Sequence, residues 1–244
     1  PHISNFTDFD PLFSICDLNV CFLEKVQELK AFEAVIIPGS KNTRFDLDWL
    51  HKTGWADKLQ QYVQNGGHVL GICGGYQMMG REVHDPDGLE GESGTTKGLD
   101  LLPVETVLKA PKTTTRTRFS WKGRQGSGYE IHMGHTRLFD AENLFQVLER
   151  NGLPPDDSCT DQDGCIAAGF RAMGTYIHGL FDSPEITRKW LESIGLEEVA
   201  AKGLKQESYG LAARDKEYDC LAEHFEKYVD VESILTMLDG RAKA

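Results

Sequence analysis

Three short apolar runs, Asn19 to Phe22, Ala34 to Ile37 and Val69 to Ile72, are rich in β-branched residues and separated by stretches of helical spacing. That alternation limits the fold more than any other feature, because parallel strands need crossovers long enough to hold a helix. Between the second and third runs Trp55, Leu59, Tyr62 and Val63 recur at three and four residues, and Asn65-Gly66-Gly67 ends the pattern. A helix over 54–65 is predicted.

The middle of the chain changes character. Leu99 to Leu108, Thr115 to Trp121 and Tyr129 to Met133 are strand-like, with polar and glycine-rich links that include Gly123 to Gly128. They predict an antiparallel edge to the sheet. Asn151 to Gly164, with two prolines and four aspartates, predicts a surface loop, followed by strands at Ile166 to Phe170 and Thr175 to Ile177. Ser183-Pro184-Glu185 predicts a helix start. Leu221, Phe225, Tyr228, Val229, Ile234 and Leu238 predict two terminal helices that cover the sheet. The expected fold class is α/β, a doubly wound, mostly parallel open sheet with antiparallel edge strands, formed as a single domain over 1–244 with C-terminal helices at about 183–240.

Composition narrows the function classes. The 38 acidic residues against 26 basic ones leave a net charge of -12, which argues against a nucleic-acid or anionic-membrane surface. No run approaches the roughly 20 apolar residues of a membrane span, and Pro1-His2-Ile3-Ser4-Asn5 lacks the regions of a signal peptide, so the cytoplasm is the default location. The cysteines at 16, 21, 73, 159, 165 and 220 form no CxxC pair, so free thiols and no structural metal are expected. The abrupt opening at Pro1 suggests an excised segment.

The chemistry centres on Gly71-Ile72-Cys73-Gly74-Gly75, which follows a buried strand and opens a helix. This is the setting of a nucleophile elbow with cysteine in place of serine. The sharp turn strains the central residue and pushes its side chain into the open, while the flanking glycines allow close chain approach. Exposed N–H groups at the helix start favour the thiolate, and the Gly74 N–H can donate to an oxyanion. A buried structural cysteine is the bland alternative. A thiol nucleophile needs a base, and Gly174-Thr175-Tyr176-Ile177-His178-Gly179-Leu180 puts His178 at a strand end. The Pro38-Gly39-Ser40-Lys41-Asn42 turn offers a second oxyanion donor at a neighbouring strand end.

These blocks resemble the class I glutamine amidotransferases, and within them the glutaminase domain of the cobyric acid synthase family. The likeness spans nearly the whole chain and also rests on Ile3 to Leu12, on Thr43, on the run to Gly80, on Gly128 to Gly134 and on Phe181-Asp182. The resemblance implies a flavodoxin-like class I glutaminase fold, Cys73 as nucleophile, His178 as base and then acid, and a glutamyl thioester released by water. It implies Gly39, Ser40 and Gly74 at the oxyanion, and Gln77, Tyr129, Glu130 and His132 at the glutamine. Many class I members carry a Glu two residues after the histidine, where this chain has Leu180. The orienting group stays open among Asp182, Glu130 and a backbone carbonyl.

In the family, ammonia passes to an ATP-dependent synthetase domain that amidates a corrinoid substrate in cobalamin synthesis. ATP and magnesium are expected only in that absent domain, since no GxxxxGK[ST] loop occurs here; no cofactor is expected in this chain. The rival readings are a cysteine peptidase, the glutaminase of cobyrinic acid a,c-diamide synthase or of a cell-wall amidating enzyme, and a non-catalytic docking scaffold.

Overall fold

The computed structural model describes residues 2–155, 162–169, 171–204 and 209–241. Cys159, Phe170 and part of the Asn151 to Gly164 stretch lie outside them. The chain opens with a 3-10 turn at Phe6–Phe9 running into α1 (Asp10–Phe13), where Pro11 suits the first turn of a helix. β1 (Ala34–Ile37) follows. α2 (Thr43–Thr53) starts where the Asn42 side chain accepts the Phe45 N–H at 2.9 Å and stops at Gly54, whose φ of 84° ends the helix. α3 (Trp55–Gln64) turns Trp55, Ala56, Leu59, Tyr62 and Val63 inward. β2 (His68–Ile72) then delivers the chain to Cys73 and the short α4 (Gly74–Met78).

Beyond α4 come β3 (Glu82–Asp85), β4 (Gly94–Lys97), β5 (Val104–Val107), β6 (Thr113–Trp121), β7 (Arg124–His132), β8 (His135–Leu138) and β9 (Phe145–Arg150). β10 (Gln162–Asp163), β11 (Cys165–Ala167), β12 (Ala172–Thr175) and β13 (Ile177–His178) lead to α5 (Pro184–Ser193), α6 (Glu197–Gly203), α7 (Gly210–Tyr228) and α8 (Val231–Arg241).

The central sheet has the order β1-β2-β12-β11, with the first three strands parallel and β11 an antiparallel edge. Alternation along β2 sends Leu70 and Ile72 to one face and Val69 to the other. The first face packs on the N-terminal turn, α5, α6 and the inner side of β6 and β9, through Phe9, Leu12, Phe119, Phe145, Ile186 and Trp190. The second packs on α2, α3 and the strands β3 and β5, through Leu47, Leu59, Val83 and Val104. Removing that much apolar surface from water is the main favourable term in holding the sheets together.

Several expectations change. Asn19 to Phe22 is not a strand; Phe22 is half exposed and its ring meets those of Phe6, Phe9 and Phe13. Apolar content here serves local packing of aromatic rings. Leu99 to Leu108 yields a strand only at β5. The strands of the middle do not extend the parallel sheet: they build a five-stranded sheet, β10-β9-β6-β7-β13, and a four-stranded one, β4-β3-β5-β8. The link read at Gly123 to Gly128 is mostly strand, because Lys122 and Gly123, with φ of 47° and 82°, close a two-residue hairpin. α7 and α8 form where expected but do not cover the sheet. Leu221, Phe225, Tyr228, Ile234 and Leu238 are all exposed, and α5 and α6 occupy that face instead.

Candidate active site

Cys73 sits between β2 and α4 with φ 53° and ψ -110°, a conformation L residues avoid. The elbow is held by its neighbours: the Cys73 N–H donates to the Thr175 carbonyl at 2.8 Å, and the Gln77 N–H to the Cys73 carbonyl at 3.1 Å. A Cβ on Gly75 would lie 2.0 Å from the Ile37 carbonyl oxygen, so the turn can press against β1 only as glycine. α4 is little more than one turn, so it brings no long helix dipole to the thiol. The side chain is not in the open. Cys73 is 7% exposed, and its Sγ lies 3.6 Å from the Ile131 carbonyl of β7.

His178 closes β13 and is fully buried. Its Nδ1 lies 2.6 Å from Asp8 Oδ2, while Asp8 Oδ1 accepts the Gly179 N–H at 2.9 Å. Asp8 is itself buried. Tyr129 stacks on the imidazole, with centroids 5.2 Å apart and planes at 19°. Asn5 Nδ2, from a residue with φ 55°, lies 3.1 Å from both ring nitrogens. Burial pulls the imidazole down, but the Asp8 and Cys73 hydrogen bonds and the charges of both groups outweigh it and hold His178 up at about 9. A histidine protonated through neutral pH is the partner that favours a thiolate.

The acid that holds the His178 ring is therefore Asp8. Neither Asp182 nor Glu130 holds the imidazole: Asp182 pairs with Arg214 at 3.4 Å, and Glu130 accepts Thr117 Oγ1 at 2.7 Å and Arg150 Nε at 3.0 Å. Leu180, at the position where an acid was sought, is packed in the apolar core. Asp8 lies in a block that the sequence singles out, but no spacing rule links residues 170 apart.

The Gly39-Ser40 turn is pinned by the N-terminal segment, with Ser4 N–H on the Gly39 carbonyl at 2.9 Å and Lys41 N–H on the His2 carbonyl at 3.1 Å. The Ser40 N–H is in neither bond. A Cβ on Gly74 would lie 2.9 Å from that nitrogen, so the turn and the elbow are in close contact. Ser40 Oγ donates to Asp46 Oδ2 at 2.7 Å and so braces the turn.

The residues expected at the glutamine divide into two groups. Tyr129 is at His178. Gln77 is buried, and its carboxamide accepts from Thr43 Oγ1 at 3.1 Å and donates to the Met133 carbonyl at 2.9 Å and to the Tyr176 hydroxyl oxygen at 3.2 Å. Its bonds brace the elbow against α2 and the end of β7. Glu130 and His132 point to the inner side of β7, because side chains alternate along a strand. Burial raises the Glu130 carboxyl, but the nearby His132, the Arg150 charge and the Thr117 and Arg150 bonds prevail and hold it down at about 2. His132 stacks on Tyr176 with centroids 3.7 Å apart, and its Nε2 lies 3.5 Å from Glu130 Oε2. Among the described residues no group of three or more His, Cys, Asp or Glu is arranged to hold a metal, and no helix is long and apolar enough to cross a membrane.

A strained cysteine at a strand-to-helix turn, facing a histidine oriented by an acid, is the arrangement of a thiol nucleophile with its base. Residues 1–186 match the CobB/CobQ-like glutamine amidotransferase domain. The chain belongs to that family.

Cobyric acid synthase of Chlorobium phaeobacteroides (strain DSM 266 / SMG 266 / 2430) is 40% identical to this amidotransferase domain over 241 residues, covering 98% of this chain and 46% of that protein. Cobyric acid synthase of Rhodobacter capsulatus is 40% identical over 238 residues, covering 96% and 46%. The chain thus spans about half the length of these curated relatives. Its fold is shared with a solved glutamine amidotransferase, at a TM-score of 0.57 and 19% identity over 79% of this chain and 95% of that one. It is shared too with PurLQS from Thermotoga maritima, at a TM-score of 0.53 and 16% identity over 82% and 90%. These likenesses establish the class I amidotransferase fold and place the chain among CobB/CobQ-like domains.

Proposed function

We propose that this domain hydrolyses the side-chain amide of L-glutamine through a Cys73 thioester. The reading is carried by the Cys73, His178 and Asp8 arrangement at the elbow. His178, held by Asp8 at Nδ1, carries at its other nitrogen the proton that the thiol has given up, so the pair rests as thiolate and imidazolium. The thiolate attacks the amide carbon, and the N–H groups of Gly74 and the Gly39-Ser40 turn receive the developing oxyanion. The imidazolium returns the proton to the leaving nitrogen, ammonia departs, and the same histidine activates water to release glutamate. Tyr129 borders this chemistry. Gln77, Glu130 and His132 act from behind, as the frame of the pocket.

The ammonia serves, in this proposal, an ATP-dependent synthetase domain of a longer protein that amidates corrinoid carboxylates. The names of the relatives and the half of their length that this chain does not span support that assignment. ATP and magnesium would be held there, and the cytoplasm is the proposed location.

Glutamine hydrolysis by the chain, with and without a synthetase half, tests the reading together with adduct mapping by a glutamine-analogue electrophile. The adduct is expected on Cys73, and Cys73→Ala is expected to abolish turnover. Undiminished hydrolysis by Cys73→Ala would sink the proposal.

A further inference from the structure

Asp163 has no role in the steps just described, yet it is a carboxyl only 5% exposed at the place where the chain changes sheets on its way to His178. β12 ends at Thr175 in the central sheet, and β13 begins at Ile177 in the five-stranded sheet. A crossing between sheets removes the regular strand partners of the backbone groups within it, and buried N–H groups must find others. Asp163 and the Thr175 hydroxyl that donates to it supply them. Its Oδ1 accepts the Tyr176 N–H at 3.2 Å, its Oδ2 accepts the Thr175 hydroxyl, and the same hydroxyl oxygen accepts the Ile177 N–H at 2.9 Å.

Thr175 also reaches the nucleophile, because its carbonyl accepts the Cys73 N–H at 2.8 Å. One carboxyl thus braces the residue bonded to the elbow and Tyr176 directly, and Ile177 through the Thr175 hydroxyl. The approach is built in. Gly164 has φ 74°, and a Cβ there would lie 2.2 Å from the Gly174 carbonyl oxygen, so glycine lets β10 and β12 come close enough for Asp163 to sit against Thr175.

We propose that Asp163 is a positioning residue for the glutaminase reaction, its carboxyl holding the Thr175 to Ile177 crossing so that His178 faces Cys73. The proposal rests on the reading of Cys73 and His178 as nucleophile and base. A purely structural carboxyl in this place would set the stability of the domain but not the alignment of the pair. Burial, followed by the Glu130 charge, pushes Asp163 up to about 7 against the bonds from Thr175 and Tyr176 and the Arg150 charge. The acid is kept where ionisation is costly, and its acceptor oxygens are what the crossing uses.

The test uses the full chain with Asp163→Ala, Asp163→Asn and Thr175→Val. Glutamine kcat and KM are measured per folded molecule, alongside the pH profile of Cys73 alkylation by iodoacetamide. Asp163→Ala and Thr175→Val are expected to lower kcat by about tenfold or more while KM stays within about twofold, as misalignment of reacting groups does. Both should move the alkylation profile to higher pH, and Asp163→Asn, which keeps one acceptor oxygen, should recover part of kcat. Wild-type kcat and alkylation in a folded Asp163→Ala, or losses fully explained by the folded fraction, would overturn the proposal. Should Asp163→Ala fail to fold, Thr175→Val decides, and wild-type kcat there overturns it equally. A wild-type chain that is alkylated at Cys73 but hydrolyses no glutamine defeats the functional reading alone, since the alkylation profiles still judge Asp163.

Discussion

Asp8 Oδ2 stands 2.6 Å from His178 Nδ1, and the other oxygen of the same carboxylate takes the Gly179 N–H, so one acid fixes both the ring and the backbone behind it. The acid comes from the N-terminal turn and not from the residues after the histidine. Asp8→Asn keeps the shape but replaces one acceptor oxygen by a donor amide, which favours the wrong tautomer of the ring. We expect kcat to fall by about 100-fold or more with KM little changed, as loss of general-base function implies. Steady-state glutaminase kinetics check this, and unchanged kcat would remove Asp8 from the site.

The same pair sets a pH dependence of stability. His178 is held up at about 9, above its ordinary 6.5, so the folded state binds its proton more tightly than the unfolded chain does. The stabilisation is fully present below about pH 6.5 and is lost as pH rises to about 9, a change of about 3 kcal/mol by linkage. Denaturant titrations across that range should show the decline in wild type and a flatter curve in Asp8→Asn. A parallel decline in both proteins would contradict it.

Glu130 titrates with the opposite sign. Its carboxyl is held down at about 2, so it adds stability above about pH 4.5 that is lost as pH falls towards 2. Glu130→Gln leaves Arg150 beside a neutral group, and we expect a loss of about 3 kcal/mol at pH 7 that shrinks on acidification. Urea unfolding at several pH values measures it.

Gly39 tests the packing of the turn against His178. A Cβ there would lie 3.0 Å from Ser4 Oγ and 3.1 Å from His178 Cε1. Gly39→Ala should therefore displace the imidazole and reduce kcat by about tenfold or more, while the melting temperature shifts little. A variant with full activity would show that the ring has room to spare.

Much of the site is legible in the amino-acid order because it is local. Gly71 to Gly75 encodes an elbow through its glycines, and Val69 to Ile72 encodes the buried strand that aims it. Pro38 to Asn42 encodes a turn at the next strand end. Gln77 was legible as a neighbour of Cys73, but its buried carboxamide is spent on Thr43, Met133 and Tyr176, a fact that depends on three distant partners. Glu130 and His132 lie in a recognisable block, yet which face of β7 they take follows from register.

Sequence alone determined that the chain alternates buried strands with helices and carries a cysteine elbow and a strand-end histidine, since periodicity and glycine placement are local properties of the backbone. Only the tertiary structure decided that the middle strands form sheets of their own, that α7 and α8 leave the core uncovered by them, and that Asp8 is the acid behind His178. Each of those outcomes depends on contacts between residues far apart in the chain, where packing and hydrogen-bond satisfaction choose among partners that local pattern leaves equivalent.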